Sequence, residues 1–283
     1  MADREGERLD YVGAVTAPAQ PADRAGASRV ILLVIVGVVG GLFSGAFGVG
    51  GGIVMVPLFV WLLRFDQRRA SATSLVAIVP ASLAGSLIYL ANGHVNVVAA
   101  LSIGAGGVVG ALIGTRLLRI LPLTVLRWAF VAMLVAAAVR LLFFEVPARG
   151  VEFELGPWAI VGLVLFGVAV GIFAGLLGVG GGVIIVPVLI GLIGIGDLLA
   201  KGTSLMAMVP ISTVGTVANV RARLVRLSDG VIAGVCAVAA SFGGSAIAFV
   251  MPPRLSATLF GILLLVTAAQ LGWRAFRLRR TAG

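Results

Sequence analysis

Two short runs of glycine are the residues of this chain with the most chemistry in reach. Residues 48–52 read GVGGG, and residues 178–182 read the same. Gly50, Gly51 and Gly52, with Gly180, Gly181 and Gly182, carry no side chain, so their backbone can take bends closed to other residues. Such a bend exposes several N–H groups, and a helix that follows aims its positive end at the same point, which together suit an anion. Thr73 and Ser74, and again Thr203 and Ser204, offer hydroxyl donors at the predicted start of the next apolar segment. Two readings stand for these hydroxyls: anion ligands beside the glycine bends, or helix caps, a position that favours Ser and Thr. Pro57 and Pro187 lie a few residues beyond the glycines, lack an N–H, and favour a break there. Close packing of helices needs glycine only about once per turn, as at Gly37, Gly41 and Gly45. Three in succession point to a binding bend.

The two bends belong to a larger duplication. Residues 41–60 read GLFSGAFGVGGGIVMVPLFV and residues 171–190 read GIFAGLLGVGGGVIIVPVLI, with ten of the twenty positions identical. At the same offset of 130 and with no gap, TSLVAIVP at 73–80 aligns with TSLMAMVP at 203–210, six of eight identical. A register held across both blocks makes the chain two copies of one unit.

What must position these residues is a set of membrane helices. The chain is 60% hydrophobic and only 11% charged, with a mean hydropathy of +1.16, whereas a soluble domain carries about 25% charged residues. Its 11 acids lie outside the long apolar runs, which are of membrane-spanning length. Alternating short segments of the kind a β-barrel needs are missing. The predicted fold is therefore all-α and polytopic. Each repeat has a glycine-broken helical hairpin (residues 30–65 and 158–195) and three ordinary spans. Residues 1–28, polar and mixed in charge, read as a disordered cytoplasmic tail, followed by repeat 1 over 29–150 and repeat 2 over 151–283.

Loop charges orient the units. Arginine clusters at 64–69, 116–119, 221–226 and 274–280 fall on one side only if each glycine-broken stretch turns back to the face it started from. Both termini are then cytoplasmic and the second unit is inverted relative to the first, as in inverted-repeat transporters. Arg127 and Arg140, within the span at 122–143, read as snorkelling to a surface, with a solute-facing role as the sharper alternative. Trp61, Trp128, Trp158 and Trp273 read as interfacial anchors. Asn219, whose repeat partner is Tyr89, reads as a helix-end hydrogen bonder or a tuner of solute choice.

The doubled GxxxGxxGxGGGxxxVP motif followed by TSL resembles the sulfite exporter TauE/SafE family of membrane proteins, over nearly everything after residue 28. That resemblance implies a prokaryotic cell membrane and transport of a small anion, such as sulfite, a sulfonate or a related organic acid. A non-transporting membrane subunit and a cation-coupled carrier of another solute are the alternative functions. The expected partners are the small anionic solute and the lipid bilayer. Nucleic acid is not expected, because the basic residues punctuate span ends instead of forming one soluble face. No cofactor, metal site or enzymatic activity is expected either. The lone Cys236 and lone His94 are too few for a metal cluster, and no nucleophile–base set is present.

Overall fold

The computed structural model describes residues 26–143 and 156–280, and among them there are helices and no strand. The helices are α1 (Gly26–Phe47), α2 (Gly52–Leu62), α3 (Gln67–Ala91), α4 (Val97–Ile120) and α5 (Leu123–Phe143). The second half supplies α6 (Pro157–Leu177), α7 (Gly182–Val188), α8 (Asp197–Arg221), α9 (Leu227–Val250) and α10 (Pro253–Arg280). A π-helical turn, Leu189–Ile193, continues α7 just past Pro187. The expected tail lies outside the described residues, apart from 26–28, which open α1.

Seven of these helices are long and apolar enough to cross a membrane, and the outward faces carry exposed Ile31, Leu87, Leu101, Leu165, Val235 and Ile262. This is a multi-pass membrane protein. By contrast α2 has 11 residues, or about 16 Å at 1.5 Å per residue, half of a hydrocarbon core about 30 Å thick. The short helices α2 and α7 are the returning arms of the two predicted hairpins.

The halves interlock. α1 packs chiefly on α9 and α6 on α4, while α3 and α8 lie together at the centre and α5 pairs with α10. Small residues set these contacts. On α1, Gly37, Gly41 and Gly45 face Ala233, Ala237 and Ser241 of α9, each so close that a methyl group would overlap the facing backbone. On α6, Gly167, Gly171 and Gly175 face Ile103, Gly107 and Ala111 of α4 in the same way. Each contact in one half has its counterpart at the 130-residue offset, so the fold is two-fold symmetric in its pairing. Without a hydrophobic drive between helices in lipid, such close backbone approach is what holds them.

On the central pair, Gly85 meets Leu205 and Gly215 meets Leu75, so α3 and α8 run antiparallel. The first turns of α1, α3 and α9 converge at one end, where Asp229 accepts from Arg29 (2.6 Å) and Arg69 (3.3 Å). Arg69 also lies 4.2 Å above the Phe65 ring. At that same end Arg119 of α4 donates to the carbonyl of Ala218 on α8 (2.9 Å). The clusters at 64–69, 116–119 and 221–226 thus share one end of the molecule, called here the arginine end. The residues opposite Asp229, Arg29 and Arg69 in the repeat are Ala99, Ala159 and Leu199, so this ion cluster has no twin.

The tight crossings give a direct expectation. Leucine at Gly41 or Gly171 should destabilise the detergent-solubilised protein by about 1–3 kcal/mol or prevent folding, to a similar extent at both sites because they are symmetry partners. Leucine at Gly162, where a side chain meets open space, should leave the melting temperature unchanged.

Candidate functional site

The two GVGGG bends meet each other. A Cβ built on Gly52 would lie 2.8 Å from the Cα of Val179 and 2.9 Å from the carbonyl oxygen of Gly178. One built on Gly182 would lie 2.6 Å from the Cα of Val49 and 2.9 Å from the oxygen of Gly48. Gly50 and Gly180 both abut Met208 and Ile78, which are near the midpoints of α8 and α3. The bends therefore touch at the middle of the molecule, each entering from its own end. All of residues 48–52 and 178–182 are buried.

Glycine is demanded locally as well as by contact. Gly51 and Gly181, which precede α2 and α7, have φ of 74° and 95°, the left-handed region that L side chains rarely adopt. Hydrogen bonds close each bend on either side. Gly48 N–H donates to Ser44, and Val54 and Met55 donate to the oxygen of Gly51. In the second bend Gly178 donates to Ala174, and Ile184 and Ile185 donate to the oxygen of Gly181. Between these, among the described residues, the N–H groups of 49–53 and of 179–183 find no protein acceptor of good geometry. A buried backbone N–H without a partner is rare, and runs of them on two touching bends mark a place for an acceptor from outside the protein.

The four hydroxyls are not helix caps. The cap of α3 is Asp66, whose carboxylate accepts from Arg69 N–H at 2.8 Å, and α8 begins at Asp197 after Gly196. Thr73, Ser74, Thr203 and Ser204 lie about two turns inside their helices, which start six residues earlier than the apolar pattern suggests because Gln67 and Lys201 are buried too. The pairs also divide. Ser74 donates to the carbonyls of Gly178 and of Ser71 (2.9 Å), and Ser71 donates to Leu177 at 3.0 Å, which tie α3 to the second bend. Ser204, its symmetry partner, is buried and has only a weak contact with Met208 Sδ at 3.9 Å. Thr203 turns towards α4, where its oxygen accepts from Asn96 N–H at 3.0 Å. Thr73 is on the side of α3 that faces Gly230 of α9, and its hydroxyl has no partner among the described residues.

Sequence reasoning missed a buried ion pair beside the first bend. Lys201, the chain's one lysine, is 2% exposed, lies 3.3 Å from the carboxylate of Asp197 (1% exposed), and donates to Ser256 Oγ at 2.8 Å. Its Cα and Cβ are the atoms that a side chain at Gly48 would strike. Asp197, one of the acids outside the long apolar runs, is the first residue of α8. An Asp-x-x-x-Lys spacing at a helix start was the signal available. Arg140 donates to the carbonyl of Gly191 at the π-helical turn, so it serves the distorted backbone that Pro187 and the wide turn leave behind. The side chain of Arg127 lies outside the described residues. Among the described residues no group of His, Cys, Asp and Glu could hold a metal ion.

A cavity of about 450 Å³ between α1, α9 and α10 is lined by Leu42, Phe47, Met251, Leu259, Leu263 and their neighbours, without a polar donor. It suits hydrocarbon and not an anion.

The family profile described as "Sulfite exporter TauE/SafE" matches residues 9–141 and 163–283, one segment for each half of the symmetric pair. The chain belongs to the TauE/SafE family. Among TauE/SafE relatives it is similar to the probable membrane transporter protein MamO of Magnetospirillum gryphiswaldense, 35% identical over 116 residues, or 38% of this chain and 18% of that protein. YunE of Bacillus subtilis, also a probable membrane transporter protein, is 38% identical over 79 residues, 28% of this chain and 29% of its own length. A probable membrane transporter protein of Methanocaldococcus jannaschii is 27% identical over 168 residues, 56% of this chain and 60% of its own length. The matched segments cover less than two thirds of each relative.

Two outcomes test the geometry of this TauE/SafE centre. Gly51→Ala should cost more stability than Gly181→Ala, because the new methyl meets the backbone of Gly40 in one and the movable Val170 side chain in the other; both should fall within about 1–4 kcal/mol by thermal unfolding. Lys201→Met or Asp197→Asn alone should destabilise by about 3–5 kcal/mol, and the double variant should recover much of the loss, since the single change strands a buried charge.

Proposed function

We propose that the protein transports a small anion, such as sulfite, a sulfonate or a related organic acid, across a prokaryotic cell membrane by alternating access. The observation that carries this reading is the double run of partnerless N–H groups on two bends that meet at mid-molecule. An anion accepts from N–H groups of both bends at once, and charged acceptors form the stronger hydrogen bonds. Gly50, Gly51 and Gly52, with Gly180, Gly181 and Gly182, are the binding backbone in this scheme, Ser204 is the adjoining hydroxyl donor, and Ser74, whose one proton goes to the carbonyls of Gly178 and Ser71, holds the second bend in place. Thr73 and Thr203 face neighbouring helices and act through packing.

The arginine end is the cytoplasmic end in this reading, as the positive-inside rule requires, and the two halves are then inverted across the bilayer. Bends in direct contact correspond to an occluded state. Opening to either side is a separation of one half's hairpin from the central α3–α8 pair, which needs no change in the glycine-lined crossings of α1 with α9 and α6 with α4.

Reconstituted in liposomes, the protein should show saturable uptake of sulfite or a small sulfonate or carboxylate, with mutual competition. Ser204→Ala should leave the melting temperature unchanged, since the hydroxyl has no strong partner, while raising the KM for the anion about tenfold. An unchanged KM with normal flux removes Ser204 from the site, and absence of saturable flux for every small anion tried refutes the transport reading.

A further inference from the structure

The central helices are symmetry partners, yet their polar residues are treated differently. From Met208, which abuts both bends, α8 runs towards the arginine end with Ser212, Thr216 and Asn219 at spacings of four and three, on one face. Ser212 Oγ lies 3.2 Å from where a Cβ on Gly180 would be, so the row starts at the second bend. Ser212 and Asn219 are fully buried, and the hydroxyls of Ser212 and Thr216 and both amide atoms of Asn219 have no partner among the described residues. Nε of Arg68, in the first turn of α3 at the arginine end, is likewise buried without a partner among the described residues. Arg119 meets α8 at Ala218, the residue before Asn219.

The matching row on α3 is Ser82, Ser86 and Tyr89, and it is satisfied throughout. Ser82 donates to Val79 (3.2 Å), Ser86 to Leu83 (2.9 Å), and the Tyr89 hydroxyl to the Gly45 carbonyl (2.8 Å). Tyr89 is fully buried and its ring stands 5.1 Å from that of Phe249, which in turn lies 5.8 Å from His94. Where the first half has an aromatic plug, the second half has a short amide, and where Leu198 and Phe249 stand in one half, Arg68 and Arg119 stand at the matching positions of the other. A buried polar row with no internal partners costs stability unless water or a solute supplies them. The cost recurs at three successive positions of α8 from the bends towards the arginine end, and again at Arg68 in the first turn of α3 at that end.

We infer that Ser212, Thr216 and Asn219, with Arg68 at the mouth, form the route by which a hydrated small anion passes between the glycine bends and the arginine end, while Tyr89 and Phe249 shut the matching route at the opposite end. This rests on the anion reading of the bends for the solute it names. The hydroxyls and the amide replace part of the anion's hydration shell, and the guanidinium of Arg68 draws anions in and repels cations.

The test reads accessibility, not transport. In the full chain carrying Cys236→Ala, single cysteines are placed as Ser212→Cys, Thr216→Cys, Asn219→Cys, Ser82→Cys and Ser86→Cys. Each is treated with a sulfonate-bearing or a trimethylammonium-bearing methanethiosulfonate reagent, with Ser228→Cys, exposed at the start of α9, as the reference. The α8 cysteines should react and the α3 cysteines should not. The anionic reagent should be favoured about tenfold over the cationic one, relative to the reference, by focusing of the local potential. Arg68→Gln should abolish that preference. Silence at all three α8 positions, equal reaction on α3, or no charge preference overturns the route, whatever the Ser204→Ala flux result. Should cysteine at 219 prevent folding, Asn219→Leu provides a second reading: a higher melting temperature, because the buried partnerless amide is gone, with saturable flux reduced about tenfold. Full flux in that variant would also overturn the route.

Discussion

A peptide bend held inside an apolar body has to hide its N–H groups or give them an acceptor, and the rest of this structure is arranged around that constraint. Each half of the chain carries one such bend to mid-depth on a hairpin whose returning arm is too short to cross. The bends then shield each other: Gly52 lies on the backbone of Val179 and Gly182 on that of Val49, distances that only glycine permits. Neither half can make this contact alone. That is a physical reason for the duplication, because one bend would face lipid with its donors bare, whereas two close over a shared centre.

The same requirement explains why the halves interlock and are not separate bundles. A hairpin held at mid-depth needs a rigid wall on both sides. The crossings of α1 with α9 and of α6 with α4 supply it through glycine and alanine rows set at one residue per turn. In lipid these contacts depend on dispersion at short range and on little else, so each added methylene on the row is felt. The Ser71 and Ser74 hydroxyls, bound to the carbonyls of Leu177 and Gly178, then fasten the second bend to α3.

A symmetric frame does not impose symmetric chemistry. The repeat pairs Lys201 with Ser71, Asp197 with Gln67, and Tyr89 with Asn219, and in each case only one member is ionic or aromatic. The Asp229 cluster with Arg29 and Arg69 similarly ties three helix starts together at one end alone. Two halves with the same backbone thus surround the central bends with different charges and rings.

Much of this was legible in the residues themselves. The duplication is a matter of register, the membrane character of composition, and the hairpin of a length too great for one crossing and too small for two. All three are properties of contiguous sequence. The gathering of arginines at one end followed from their spacing once the hairpins were allowed to turn back. Other features waited on the tertiary structure. Thr73 and Thr203 sit beside Ser74 and Ser204 in sequence, but a helix turns adjacent residues about 100° apart, so neighbouring helices, not spacing, decided which of them reaches a bend. A charge outside the apolar runs marks a surface by default; the burial of Asp197 depends on Lys201 and, through it, on Ser256 from a distant helix. Asn219 gave no sign of lacking a partner, since a hydrogen bond's absence is a statement about every residue around it. Local rules act within a few residues along the chain, whereas pairing, burial and satisfaction are settled between segments about a hundred residues apart.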